Sequence, residues 1–73
     1  MALVAVLGEQ VAVQGYALAG AVVLEADDAD AARRAWDALS EDVAVVILTR
    51  TAARALGPDR VAGRHPLTVV MPP

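Results

Sequence analysis

Several residue types that support common chemistries are absent or rare in this chain of 73 residues. It contains no cysteine, which excludes disulfides, thiolate metal sites and thiol catalysis. It has no lysine, and its 6 basic residues face 9 acidic ones, so a basic surface for nucleic acid is not expected. Its single histidine, His65, has no second histidine with which to bind a metal, and we expect it in a surface loop.

Long apolar segments are also missing. No run approaches the roughly 18 residues of a membrane span, and the N-terminus lacks the basic flank and the small-residue cleavage site of a signal peptide. We therefore expect a cytoplasmic protein with no direct membrane insertion. Residues 1–73 are expected to form a single domain, because a chain of this length can build one core and buries only about 60% of its unfolded surface.

Four apolar runs predict β-strands, at residues 2–7, 21–24, 43–48 and 67–71. None of these runs alternates with polar residues. A strand without a polar face is typical of a parallel sheet covered on both sides. Much of the apolar content is alanine, which buries little area, so a partner is expected to supply part of the burial.

The segments between the runs predict three helices. The first extends from the turn at Gly8 to Gly20, where a left-handed cap ends it, and Gly15 lets it approach the sheet closely. In this helix Tyr16 either packs in the core or reaches a partner, and the sequence leaves the two alternatives open.

The second helix is capped by Asp27 or Asp28 and is anchored on the sheet by Trp36. The third is capped by Thr49 or Thr51 and stops at the pair Gly57 and Pro58. Residues 59–66 are interpreted as a loop.

The alternation of strands and helices predicts an α/β fold, a small doubly wound parallel sheet with strand order 2-1-3-4, similar to flavodoxin and receiver domains. Right-handed crossovers place the first helix alone on one face and the other two on the opposite face. One short helix cannot cover four strands. We therefore expect an exposed apolar patch over strands three and four.

The polar residues at the strand ends do not form a recognised catalytic pattern. The turn between Gly8 and Gly15 fits no phosphate-binding fingerprint, and the third strand ends in Thr49 where a receiver domain would need a carboxylate. Asp27 and Asp28 are interpreted as helix caps. Glu9, Asp37, Glu41 and Asp42 are interpreted as solvated caps and faces, so we predict no catalytic, cofactor-binding or metal-binding residues.

The chain resembles the F subunit of the V-type and A-type ATPase/ATP synthase family. The resemblance is most specific in the block from Gly15 to Gly20, in which Gly15, Tyr16, Leu18 and Gly20 match a Gly-aromatic-x-Leu-Ala-Gly helix. It extends to the first strand ending in Gly8, the apolar strand ending in Thr49, and the last strand bounded by Pro66 and Pro72. The family normally continues past the final proline into a C-terminal tail; we expect that tail to be absent here, so that the resemblance is to the N-terminal globular domain.

The resemblance implies a non-catalytic central-stalk subunit of a rotary motor that translocates protons or sodium ions. Its partner would be the coiled-coil shaft protein, called the D subunit in this family of motors, and its position would be peripheral to the membrane. The interface residues are not predicted, although every arginine is a candidate, and the isolated chain is expected to be able to self-associate. Two alternatives stay open: a stand-alone receiver-like interaction module without a phosphoacceptor, and a small nucleotide-binding or phosphotransfer enzyme.

Overall fold

A computed structural model describes residues 2–10, 20–63 and 65–72 of the chain. The helix predicted between Gly8 and Gly20, with Gly15, Tyr16 and Leu18, lies outside these residues except at its ends. The described elements, in chain order, are β1 (Leu3–Gly8), β2 (Val22–Glu25), α1 (Ala29–Asp37), β3 (Val43–Leu48), α2 (Arg50–Leu56), α3 (Pro58–Val61) and β4 (Leu67–Val70).

The four strands form one parallel sheet in the order β2-β1-β3-β4, which confirms the predicted topology. The central strands β1 and β3 consist almost entirely of apolar residues and hold most of the fully buried side chains: Leu7, Leu48, Val6 and Val46. The predicted limits of the third strand are confirmed, and those of the other three differ from the observed limits by one residue at one end or both.

Helices α1 and α2 pack side by side on one face of the sheet. Ala32 of α1 and Ala52 and Leu56 of α2 are buried in one cluster with Leu7 and Leu48 of the central strands. The small alanines let the helix backbones approach the sheet closely, which explains how an alanine-rich chain builds a core. The second and third predicted helices therefore share one face, as expected from right-handed crossovers.

An irregularity in β3 turns apolar residues towards both faces of the sheet. Leu3 of β1 is in register with Val43, but the next residue, Val4, is in register with Val45, so Ala44 is the extra residue of a bulge. The bulge lets Val43 join the buried core while Val45 lies on the opposite face. The sequence pattern does not indicate this bulge.

The helix starts follow the predicted capping chemistry. Asp28 caps α1 by accepting a hydrogen bond from Ala31 N (2.7 Å), and Thr49 caps α2 by accepting one from Ala52 N (3.2 Å). The sequence left two candidates for each cap. The structure shows that Asp28, and not Asp27, caps α1, and that Thr49, and not Thr51, caps α2.

The interpretation of residues 59–66 as a loop is wrong at its start, because Pro58–Val61 form the short helix α3. Pro58 occupies the first turn, where its missing N–H costs nothing. Arg60 fixes α3 to its neighbours by donating to Leu56 O (3.2 Å) and lying 3.7 Å from an Asp37 oxygen. A single helical turn produces no apolar periodicity, so the pattern did not reveal it.

Candidate functional site

The carboxyl ends of β1 and β3 meet at Gly8 and Thr49. Thr49 is buried, and its N–H donates to Leu7 O (3.1 Å), which holds its side chain against Gly8. A Cβ atom on Gly8 would lie 2.6 Å from Thr49 Oγ1 and 2.9 Å from its Cβ, and closer still to its Cγ2. Glycine at position 8 therefore leaves the space that the Thr49 side chain fills.

Thr49 also forms a hydrogen bond with an acidic residue beside it, Glu9. Its hydroxyl donates to Glu9 Oε1 (2.6 Å) while accepting from Ala52 N, so both the hydroxyl proton and an oxygen lone pair are used. Asp27 accepts from Gln10 N (3.2 Å) in the same region. The carboxylates at the ends of the strands thus bond to backbone and hydroxyl groups of the chain itself.

An open groove of about 280 Å³ lies beside these carboxylates, between the starts of α1 and α2. Half of the residues that line it are alanine, and the others are Glu9, Asp27, Asp28, Thr51 and Arg54. Among the described residues there is no group of three or more histidine, cysteine, aspartate or glutamate side chains that could hold a metal ion. The buried Thr49 directly follows β3, so this position carries no carboxylate for phosphorylation.

The remaining candidate polar residues lie elsewhere on the described surface. His65 is exposed, as expected for a loop residue, and its Nε2 lies 3.3 Å from Glu41 O. Glu41 and Asp42 are exposed before β3, and Asp37 is exposed at the end of α1 beside Arg60. These positions fit the interpretation of the carboxylates as caps and faces.

The structure also describes three other residues of the predicted motif, Gly20, Pro66 and Trp36. Gly20 adopts a φ of 83°, in agreement with the left-handed conformation expected there, and Pro66 directly precedes β4. Trp36 is half-buried and packs against the core from α1. The buried residue of that helix is Ala32, so Trp36 supports the anchoring of α1 but does not account for it alone.

The face of the sheet opposite α1 and α2 carries an exposed apolar surface, which we call the open face. Its residues are Val4, Val45, Ile47, Leu67 and Val69. The register aligns Val4, Val45 and Leu67 across β1, β3 and β4, and aligns Val6, Ile47 and Val69 in the next row. Val6 is fully buried, so the exposed part of this face comprises Val4 and the residues of β3 and β4. Val4 is 42% exposed, Leu67 58% and Val69 53%, while Val45 and Ile47 are half-buried.

The open face agrees with the apolar patch expected over strands three and four. It contains no charged residue, and contiguous exposed aliphatic side chains of this kind mark contact surfaces. Of the surfaces that the structure describes, we therefore regard the open face, and not the groove at the strand ends, as the candidate functional site.

In the part of the chain that the structure describes, no helix is long and apolar enough to cross a membrane. The described architecture is that of a small parallel α/β domain whose exposed apolar surface is suited to contact with another protein.

Comparison with known proteins assigns the chain to a family. Residues 4–72 match the family described as ATP synthase (F/14-kDa) subunit, and because the match covers nearly the whole sequence, the chain belongs to that family. This confirms the resemblance drawn from the motifs between Gly8 and Pro72. The fold is similar to the crystal structure of the F subunit of the V-type ATP synthase from Archaeoglobus fulgidus, with a TM-score of 0.80 and 23% sequence identity. That similarity covers 97% of this chain and 98% of the archaeal one. Among curated proteins, none matches.

Proposed function

We propose that this chain is a non-catalytic central-stalk subunit of a V-type or A-type ATPase/ATP synthase, and that it binds the coiled-coil shaft protein of that complex, the D subunit. In this role it would lie on the cytoplasmic side, peripheral to the membrane, and would turn with the shaft. Membership of a family of ATP synthase subunits supports the assignment to such a complex. The 73 residues would act as the globular domain of the subunit.

The observation that carries the proposal is the open face. Parallel sheets are normally covered by helices on both faces, and β3 and β4 expose aliphatic side chains on the face away from α2. A helix of the shaft with an apolar stripe would complete this packing. A contact that lacks charges also tolerates physiological salt, because it does not depend on ion pairs that salt would screen.

Co-elution with the shaft subunit tests the assignment. The folded chain and the shaft subunit of the same complex are mixed at micromolar concentration and separated by size exclusion. We expect a joint peak containing both proteins. If both proteins are folded and elute separately, the proposed function is wrong.

A matched pair of variants tests the surface. Val4 on the open face and Val22 of β2 have nearly equal exposed fractions, 42% and 41%. Val22 is in register with Ala5, which belongs to the core cluster under the helices, so it lies on the opposite face. Val4→Glu and Val22→Glu therefore make the same change in charge and similar changes in local environment on opposite faces.

We expect Val4→Glu to weaken binding of the shaft subunit in calorimetry by tenfold or more, about 1.4 kcal/mol, because it places a carboxylate in an apolar contact. Val22→Glu should bind like the wild-type chain. Circular dichroism of both variants establishes that they are folded. If Val22→Glu weakens binding and Val4→Glu binds normally, the shaft contacts the face that carries α1 and α2, and the proposal for the open face is wrong.

A further inference from the structure

Strand β4 is an edge strand that no charge, bulge or internal proline protects against pairing. In the described sheet it lies at one end, next to β3. Its sequence, Leu-Thr-Val-Val, favours extended structure and carries no charge, and Leu67, Val69 and Val70 are 58%, 53% and 41% exposed. Natural edge strands are usually blunted by a charge, a bulge, an internal proline or a very short length, and of these β4 has only its length of 4 residues.

The peptide groups on its free edge can be identified. Met71 N donates to Leu48 O (2.8 Å), so Met71 directs its backbone groups towards β3. Because successive residues of a strand direct these groups to opposite sides, Val69 and Leu67 also face β3, whereas Thr68 and Val70 present their N–H and C=O groups at the free edge.

We propose that β4 pairs antiparallel with β4 of a second copy of this chain, about a two-fold axis at Val69. In this arrangement Thr68 lies opposite Val70 of the second copy, and each pair exchanges backbone hydrogen bonds. Val69 then meets Val69 of the second copy on the open face. The edge is thus complementary to itself in both hydrogen bonding and side-chain character, which is the condition for an isologous contact.

Charge favours β4 over the other edge of the sheet for this pairing. Self-pairing of β4 brings no charged side chains of the two strands together, whereas β2 ends in the exposed Glu25. The formal net charge of −3 on each copy opposes association only weakly at physiological ionic strength, because its long-range part is screened. The contact is small, so we expect a weak, concentration-dependent dimer rather than an obligate one.

Sedimentation equilibrium of the isolated chain tests the proposal. The wild-type chain is compared with two variants that carry opposite charges at position 69. The wild-type chain should dimerise between about 10 µM and 1 mM. Val69→Lys and Val69→Glu should each dimerise about tenfold more weakly, because the two-fold axis sets like charges side by side. An equimolar mixture of the two variants should recover association, since opposite charges then meet at the axis.

Two further variants distinguish edge pairing from association through the open face. Val70→Pro removes an N–H at the free edge without removing a bond to β3, and should weaken the dimer, while Val70→Ala keeps the N–H and should weaken it less. Val4→Glu, which lies away from the edge, should leave self-association unchanged.

The proposal is overturned by a wild-type chain that stays monomeric up to about 1 mM. It is equally overturned if the mixture of Val69→Lys and Val69→Glu associates no better than either variant alone, or if Val4→Glu abolishes the dimer while Val70→Pro preserves it. All of these measurements use the isolated chain, so their outcome does not depend on binding to the shaft subunit.

Discussion

Gly8 and Thr49 form the most sharply defined contact at the carboxyl ends of the strands. The buried Thr49 hydroxyl accepts from Ala52 N to start α2 and donates to Glu9, while its side chain fills the space left by the missing Cβ of Gly8. One residue thereby joins the end of β3, the start of α2 and the end of β1. These residues stabilise the carboxyl ends of the central strands and are not proposed to carry out chemistry.

Gly8→Ala should destabilise the protein by about 3 kcal/mol, because the new methyl group would overlap Thr49 in a packed site. The measurement is the free energy of unfolding from denaturant titration. Gly63→Ala is the control: its Cβ would lie 3.4 Å from Arg60 O, and the change should stay within about 0.5 kcal/mol.

A double-mutant cycle separates this contact from a general sensitivity of β1. Thr49→Ala alone loses the helix cap, but in combination with Gly8→Ala it also removes the overlaps with Oγ1 and Cγ2, leaving only the contact with the Cβ of residue 49. The double variant should therefore be more stable than the sum of the two single effects predicts. Strict additivity would contradict the account of Gly8.

At the scale of the elements, Gly57 separates α2 from α3. Its φ of 85° and ψ of 164° lie in a region that is essentially restricted to glycine. Gly57 N still donates to Ala53 O (3.1 Å) to close α2, and Pro58 then begins α3 in a new direction. Thr68 Oγ1 donates to Val61 O (2.6 Å) and so joins the end of α3 to β4.

Gly57→Ala should cost roughly 1–3 kcal/mol of unfolding free energy, because alanine would have to adopt this backbone conformation. Space is not the cause, since a Cβ at Gly57 would meet nothing within 4 Å. The same denaturant titration measures the effect. A Gly57→Ala variant as stable as Gly63→Ala would contradict the assignment of strain at the junction.

The sequence predicts those elements whose signal lies in a continuous pattern. Residues 43–48 are delimited correctly because polar residues bracket an unbroken apolar run, and the strand order follows from the alternation of strands and helices. The single turn of α3 and the bulge at Ala44 are not predicted, because neither produces a periodicity and the bulge depends on pairing with β1.

The candidate site is predictable in outline but not in detail. Handedness predicts an uncovered apolar face over strands three and four, and Leu67 and Val69 are exposed there. The exposure of Val4, on a central strand, is not anticipated by the sequence pattern. Gly8 and Thr49 are recognisable in the sequence as parts of a motif. The contact between them, which explains why glycine occupies position 8, can be seen only in the folded structure.

For the whole molecule, charge and apolar surface are segregated. The described arginines all lie on helices α1, α2 and α3, and many of the acidic residues lie at the strand ends, whereas the open face carries no charge. A chain this small has a marginal core. A partner that covers the open face should therefore also increase the stability of the folded chain. The proposed function therefore requires that the shaft cover the open face in the assembled complex.

Because the chain contains no cysteine, single cysteines can report that coverage directly. Val4→Cys and Leu67→Cys probe the open face, and Val22→Cys probes the helix face at similar exposure to Val4. Alkylation rates are measured for each variant alone and bound to a cysteine-free shaft subunit. We expect the shaft to slow alkylation at positions 4 and 67 by tenfold or more, about 1.4 kcal/mol of protection, and to leave position 22 unchanged. Protection at position 22 with unchanged rates at 4 and 67 would contradict the account.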